Sequence, residues 1–188
     1  MADVSGTYRL GPDAGRVVVK TSRAGLAAKV GHDLELEVTR WAADITVPGE
    51  DGGGLAAATI TAELDLSSLT VRGGSGGARP LTDSDRRDIE STMRKILGGS
   101  GGPATAVFRS TRVIPAAAGG AIEGTLTLNG RSQPVRLQLT GAAPGRYRGT
   151  VTIVQSAFGI KPYTGFFGAL KLRDEVVAEF EVDLSRAA

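Results

Sequence analysis

Apolar and polar residues alternate along most of this chain in short runs, a period of two that belongs to strands with one wet face. Residues 8–10 and 16–21 read as two such strands, joined across the turn-rich residues 11–15. Residues 23–29 are too short for an independent helix and are read as one or two helical turns crossing between strands. Leu34, Leu36 and Val38 then alternate with Glu35, Glu37 and Thr39, after which the apolar parity shifts to Trp41, Ala43, Ile45 and Val47. A slip of one residue turns the whole face around, so a bulge or bend is expected near residues 39–41. Further strands are predicted at 58–66, 104–114, 122–128, 135–140, 147–153 and 176–184, with the run at 104–114 not cleanly alternating. Asn129-Gly130 is a hairpin signal, although the polar residues 131–133 leave a longer loop open.

Two stretches break the alternation midway. Residues 67–80 are rich in glycine and read as a mobile connection; no Lys-Ser or Lys-Thr pair follows the glycines, so they are not a phosphate-binding loop. Residues 82–97 carry the one helical pattern. Thr82 can cap it with Asp85 three residues on, acids come early, Arg94 and Lys95 late, and Gly98 stops it ahead of the glycine-rich residues 98–102. Ile89, Met93, Ile96 and Leu97 make one apolar stripe, expected to seal an end of the β structure. Short connections and one apolar face per strand predict a single all-β domain over residues 1–188. The fold expected is an antiparallel barrel of about eight strands, closed up-and-down, with one inserted helix.

Many inward positions are small: Ala58, Ala62, Gly124, Gly149 and Ala178. Such a lining under-fills a barrel and predicts a cavity. The alternative is a solid barrel filled by Trp41, Phe108, Phe180 and the Phe166/Phe167 pair, and side-chain sizes alone leave both open. A hollow barrel would show Leu64, Leu126, Val151 and Phe180 along its tunnel; a solid one would show them touching across it. Residues 155–170 are the densest stretch. They hold Phe158, Tyr163, Phe166 and Phe167, four of the eight tyrosines and phenylalanines, punctuated by Gly159, Gly165, Gly168 and Pro162. This loop is either a plug or the aromatic lid of an apolar pocket with Lys161 or Arg173 as its polar contact.

Composition narrows the chemistry. Lysine and arginine number 22 against 20 acids, a net charge of +2 spread without a basic block, which argues against nucleic acid as a partner. There is no cysteine and one histidine, His32, so thiol chemistry and multi-histidine metal sites are excluded. His32 beside Asp33 is a turn histidine bonded to backbone, a headgroup contact, or the base of an enzyme acting on a hydrophobic molecule. Acid–base catalysis would need a second positioned group that the sequence does not name. Lys161, Tyr163 and Arg173 are either a headgroup site or a solvated rim. Residues 1–8 have neither a basic nor an apolar leader pattern, and the expected location is cytoplasmic.

Several stretches resemble one known family in matching order. Residues 122–137, IEGTLTLNGRSQPVRL, resemble the G-x-L-T-L-x-G-x-x-x-P-V segment of the YceI-like, polyisoprenoid-binding proteins. Phe108-Arg-Ser110 is similar to the family's F-x-S strand, Asp88-Ile89 to the start of its inserted helix, and Ser156-Ala-Phe-Gly-Ile160 to its late F-G-I turn. The chain departs from the family's D-F-F-D stretch, having Arg94-Lys-Ile-Leu97 and glycines there. The resemblance implies an extended lipocalin-like barrel that binds, stores or transports an isoprenoid lipid, a polyprenyl chain or a quinone, without catalysis, cofactor or metal. The unliganded alternative is a stress-response or protein-interaction module. The candidate ligand-binding residues are Trp41, Leu64, Phe108, Leu126, Val151, Phe158, Phe166, Phe167 and Phe180, with His32, Lys161, Tyr163 and Arg173 toward the headgroup. Transient membrane contact and a homodimer are left open as further partners.

Overall fold

The computed structural model describes residues 4–98, 104–117, 119–143 and 145–187. The glycine run expected at 98–102 lies, beyond Gly98, outside them. The chain is nearly all β. Strands β1 (Gly6–Leu10) and β2 (Gly15–Lys20) are followed by a short β3 (Arg23–Ala24), then β4 (His32–Val38), β5 (Trp41–Val47), β6 (Thr59–Asp65) and β7 (Leu69–Gly76). Helix α1 (Asp83–Leu97) leads to the long strands β8 (Thr105–Ala116), β9 (Gly119–Leu128), β10 (Arg131–Ala143) and β11 (Arg146–Val154). The short β12 (Thr164–Gly165) and β13 (Leu170–Leu172) precede the last strand, β14 (Glu175–Asp183).

Among the described residues eleven strands form one antiparallel sheet in the order β1-β5-β6-β8-β9-β10-β11-β14-β2-β4-β7. This is more than the eight expected, and the order is not up-and-down. Residues 8–10 and 16–21 do not pair as a hairpin: β1 lies on β5, while β2 is held between β14 and β4. The predicted bend at 39–41 is larger than a bulge. There the chain leaves one end of the sheet and enters the other, since β4 and β5 sit second from opposite ends. Residues 67–80 also differ from expectation. Leu69 and Val71 are buried, and residues 69–76 pair with β4 as an edge strand, the position where a glycine-rich strand is tolerated. The irregular alternation at 104–114 has a cause in the register shift of β8 against β9 between Ser110 and Arg112. Asn129 and Gly130 both adopt left-handed φ (52° and 71°) and form a two-residue turn, with Leu128 paired directly to Arg131.

Among the described residues no ladder joins β1 to β7. Side chains close the curled sheet instead. Leu10, Trp41 and Ala43 from one end pack in a single core cluster with Leu36, Val38, Leu69 and Val71 from the other. The two crossing corners are tied together: Arg40 N–H donates to Ser68 Oγ (2.9 Å), Thr39 Oγ1 to Ser68 O (3.0 Å), and Arg40 bridges Asp65 (2.7 Å). Hydrogen bonds from Ser67 and Arg40 hold the Asp65 carboxyl below its ordinary range.

Helix α1 covers the free edge. Glu90 Oε1 accepts from Val71 N–H (2.9 Å) and Arg86 donates to Val71 O (3.0 Å), so side chains satisfy β7 where a neighbouring strand would have done so. The helix starts as expected, in a capping box between Thr82 and Asp85. Arg79, first, and then Thr82 hold the Asp85 carboxyl well below the ordinary aspartate range. Thr82→Ala is expected to lower stability by about 1 kcal/mol, read as a lower urea midpoint. Because the folded pKa is depressed, the Asp85 contribution is complete above an ordinary aspartate pKa of about 3.9 and fades as pH falls toward the folded value. Circular dichroism at acid pH should show helical signal lost before strand signal, and coincident losses would refute that order.

Candidate functional site

The curled sheet encloses a cavity of about 950 Å³, at the large end of small-molecule sites. Its wall follows from the alternation read in sequence. Val176, Ala178, Phe180, Val182 and Leu184 all line it, as do Tyr147, Val151 and Ile153. All four residues of the helical stripe, Ile89, Met93, Ile96 and Leu97, close it from the α1 side. Burial in this wall pushes the Tyr147 phenol above its ordinary pKa.

The space is not where the small residues alone suggested. A Cβ at Gly124 would stand 2.5 Å from the Phe108 ring, and one at Gly149 would stand 2.3 Å from the Phe180 ring. Both glycines are thus roofed by the phenyl group of an adjacent strand, Gly149 by its direct partner Phe180. The open volume faces the alanines Ala58, Ala62 and Ala178, which line the cavity. The solid-barrel alternative therefore fails as geometry: Leu64, Leu126, Val151 and Phe180 surround empty space.

Of the candidate residues, Trp41, Leu64, Phe108, Leu126, Val151 and Phe180 line the cavity, joined near its rim by His32, Tyr163 and Phe166. Four are elsewhere. Phe158 is 2% exposed and belongs to the packed cluster of Phe108, Ile122, Leu126, Leu128 and Ile160, because a 3-10 turn at Gln155–Phe158 tucks its ring into the wall. Phe167 is fully exposed, its left-handed backbone (φ 54°) holding it away from the core. Lys161 lines a second cleft of about 430 Å³ beyond Ile160 and Tyr163. Arg173 is exposed on the rim, with its backbone N–H bonded to Ser22 O (2.8 Å).

His32 opens β4 at the rim. Its Nε2 lies 2.8 Å from Arg79 O, and since a carbonyl only accepts, that nitrogen carries the proton. Arg79 in turn pairs with Asp85 (2.7 Å). This is the backbone-bonded histidine among the three alternatives, held on a wall that also carries Asp85 and Asp88. Among the described residues no group of three histidine, aspartate or glutamate side chains is placed to hold a metal.

The sequence reading missed the rim itself. Strands β12, β13 and β3 form a separate three-stranded sheet, Thr164 facing Lys171 and Lys171 facing Ala24. It fastens residues 161–173 to residues 22–31. Gly25 permits this seam: its φ is +91° and a Cβ there would meet Ala169 O at 2.4 Å. Strands of two or three residues leave too little alternation to be read.

A nearly all-β chain curled around an apolar cavity, with one helix inserted before the long central strands, is the architecture at issue, and residues 8–184 match the YceI-like domain. The chain belongs to the YceI-like family. Its fold is similar to the crystal structure of BcnA from Burkholderia cenocepacia, at 19% identity and a TM-score of 0.64 over 89% of this chain and 94% of that one. It is also similar to a polyisoprenoid binding domain from Saccharophagus degradans implicated in plant cell wall breakdown, at 11% identity and a TM-score of 0.52 over 95% of this chain and 99% of that one. No curated protein shows significant similarity to the chain. In this YceI-like chain the main feature of the interior is the apolar cavity of about 950 Å³.

Proposed function

We propose that the protein binds the hydrocarbon tail of an isoprenoid lipid, a polyprenyl chain or a quinone, inside its cavity, and stores or carries it after transient contact with a membrane. The observation that carries this reading is the continuous apolar cavity of about 950 Å³. The likeness to a domain described as polyisoprenoid binding supports the ligand class. Burial supplies the affinity. At ~0.8 kcal/mol per buried methylene, a five-carbon isoprene unit contributes ~4 kcal/mol of gross driving force. Association costs roughly 4–15 kcal/mol, so several units are needed and tail length dominates over headgroup.

Native mass spectrometry of freshly purified protein, with organic extraction of what is released, tests this. A discrete added mass in the isoprenoid range is the expected result, with retention rising with the number of isoprene units in added polyprenols. Protein that stays bare after incubation with polyprenols and quinones would overturn the reading.

A further inference from the structure

The rim carries an apolar surface that the interior does not explain. Among the described residues six large hydrophobic side chains are exposed: Leu26, Val30, Val154, Tyr163, Phe166 and Phe167. All but Val154 come from the two segments, 22–31 and 161–173, that the three-stranded sheet fastens together. Ala27 N–H donates to Ala169 O (3.0 Å) and Leu172 N–H to Tyr163 O (3.0 Å), so the Leu26 loop and the Phe166/Phe167 turn are held as one body. Val30, Tyr163 and Phe166 also line the cavity. The exposed surface is therefore continuous with the cavity mouth.

Two further observations say what covers it. Phe166 and Phe167 adopt consecutive left-handed conformations, φ 48° and 54°, which are costly for a bulky side chain. Within the chain that cost is not offset by burial, since Phe166 is 65% exposed and Phe167 wholly so. Within the two segments the charges have one sign. The two segments contain Arg23, Lys29, Lys161, Lys171 and Arg173 and no carboxylate. Arg23 is turned to Gly31 O and Ser75 O, and it approaches Asp33 at 4.0 Å. The other four are exposed, and among the described residues they make no ion pair. The acids Asp174 and Glu175 follow directly on the chain; Asp174 accepts from Ser156 N–H and Oγ, on the side of the 155–158 turn.

Apolar prongs ringed by unpaired cations fit the interface of an anionic bilayer, where aromatics enter the headgroup boundary and lysines stay at its surface. A second copy of the chain fits poorly, because a two-fold contact would set these cations against their own equivalents. We propose that this rim is a docking surface for an anionic lipid bilayer, with Leu26, Phe166 and Phe167 entering the interface and the cavity mouth opening onto it. The proposal rests on the lipid-carrier reading, which gives that mouth its use.

Co-sedimentation of the full chain tests it, using vesicles of phosphatidylcholine with about a quarter phosphatidylserine against phosphatidylcholine alone. Binding to the anionic vesicles that weakens with salt is expected. Leu26→Ser with Phe167→Ser should lower it at least about tenfold, in line with loss of two inserted side chains. Lys161→Glu with Lys171→Glu should reduce binding to the level seen on neutral vesicles. All four positions are exposed, so urea midpoints should be unchanged, and native mass spectrometry of the same variants reads ligand content separately. Wild-type protein that ignores anionic vesicles while still holding lipid would overturn the docking surface and leave the carrier reading standing. Vesicle binding by a protein that never captures lipid would keep the docking surface and remove the carrier. A dimer broken by the Leu26/Phe167 substitutions, with no vesicle binding, would assign the surface to a second copy and overturn the proposal.

Discussion

Phe158→Ala should cost ~3–5 kcal/mol, the largest single-site loss expected in this chain. Against a typical net stability of 5–15 kcal/mol this is a large share. The ring is 2% exposed and packs in the cluster that backs the cavity wall. Its backbone cannot follow a collapse, because the turn that carries it is pinned on several sides. Asn129 Nδ2 donates to Phe158 O (3.2 Å), Gln133 Nε2 to Ala157 O (3.1 Å), and Ser156 N–H to Asp174 (2.8 Å). The void left by the ring should therefore persist, which places the cost high in its range. Phe167→Ala, nine positions on in the same loop, should stay within about 0.5 kcal/mol because the side chain is wholly exposed. Equilibrium unfolding in urea measures both. A Phe158 loss under 1 kcal/mol, or equal losses at the two sites, would contradict the division of this loop into a buried anchor and an exposed prong.

The second large effect is on binding. Ala62→Phe combined with Ala178→Trp should shorten the longest isoprenoid tail the protein retains and weaken capture of long polyprenols. The two alanines line the cavity from β6 and β14, well apart in the sheet order. Displacing one isoprene unit forfeits ~4 kcal/mol of gross burial, on the order of a thousandfold in affinity. Re-seating of the tail recovers part of this, and a loss of at least about tenfold is the expected reading. Ala62 also packs against both core clusters, so the urea midpoint is read beside the binding, and a loss of under about 3 kcal/mol is expected. Unchanged tail lengths by mass spectrometry, with an unchanged urea midpoint, would mean that the lipid does not lie in the cavity.

Much of the wall was legible in the sequence because a strand's period of two is a local property. Alternation names the inward residues of 122–128 and 176–184, and the structure puts Ile122, Leu126 and Leu128, and Val176, Ala178, Phe180, Val182 and Leu184, on the cavity. Pairing is not local. The turn at 11–15 suggests a hairpin, yet β2 is claimed by β14 over six residue pairs and by β4 over three. Gly124 and Gly149 looked like holes since a sequence does not reveal that the Phe108 and Phe180 rings from adjacent strands lie over them. Residues 69–76 concealed a strand because glycine carries no pattern. Within the 155–170 loop the aromatics were found but their tasks were not. Whether a phenylalanine is buried or thrust outward there depends on a 3-10 turn and two left-handed residues, which leave no periodic trace.

The place of β2 has a consequence for how the chain is made. Residues 15–20 find one of their two partners in residues 177–182, almost the full length of the chain away. Synthesis delivers the amino-terminal strands first, so on the ribosome β2 waits with one side unpaired until β14 has emerged. The sheet cannot be completed before residues 175–183 are made, and its slowest step is the closure of the longest loop among its strand pairings. Until then the nascent chain exposes the same apolar strand faces that later line the cavity, and this interval is when it is most open to aggregation and most in need of a chaperone.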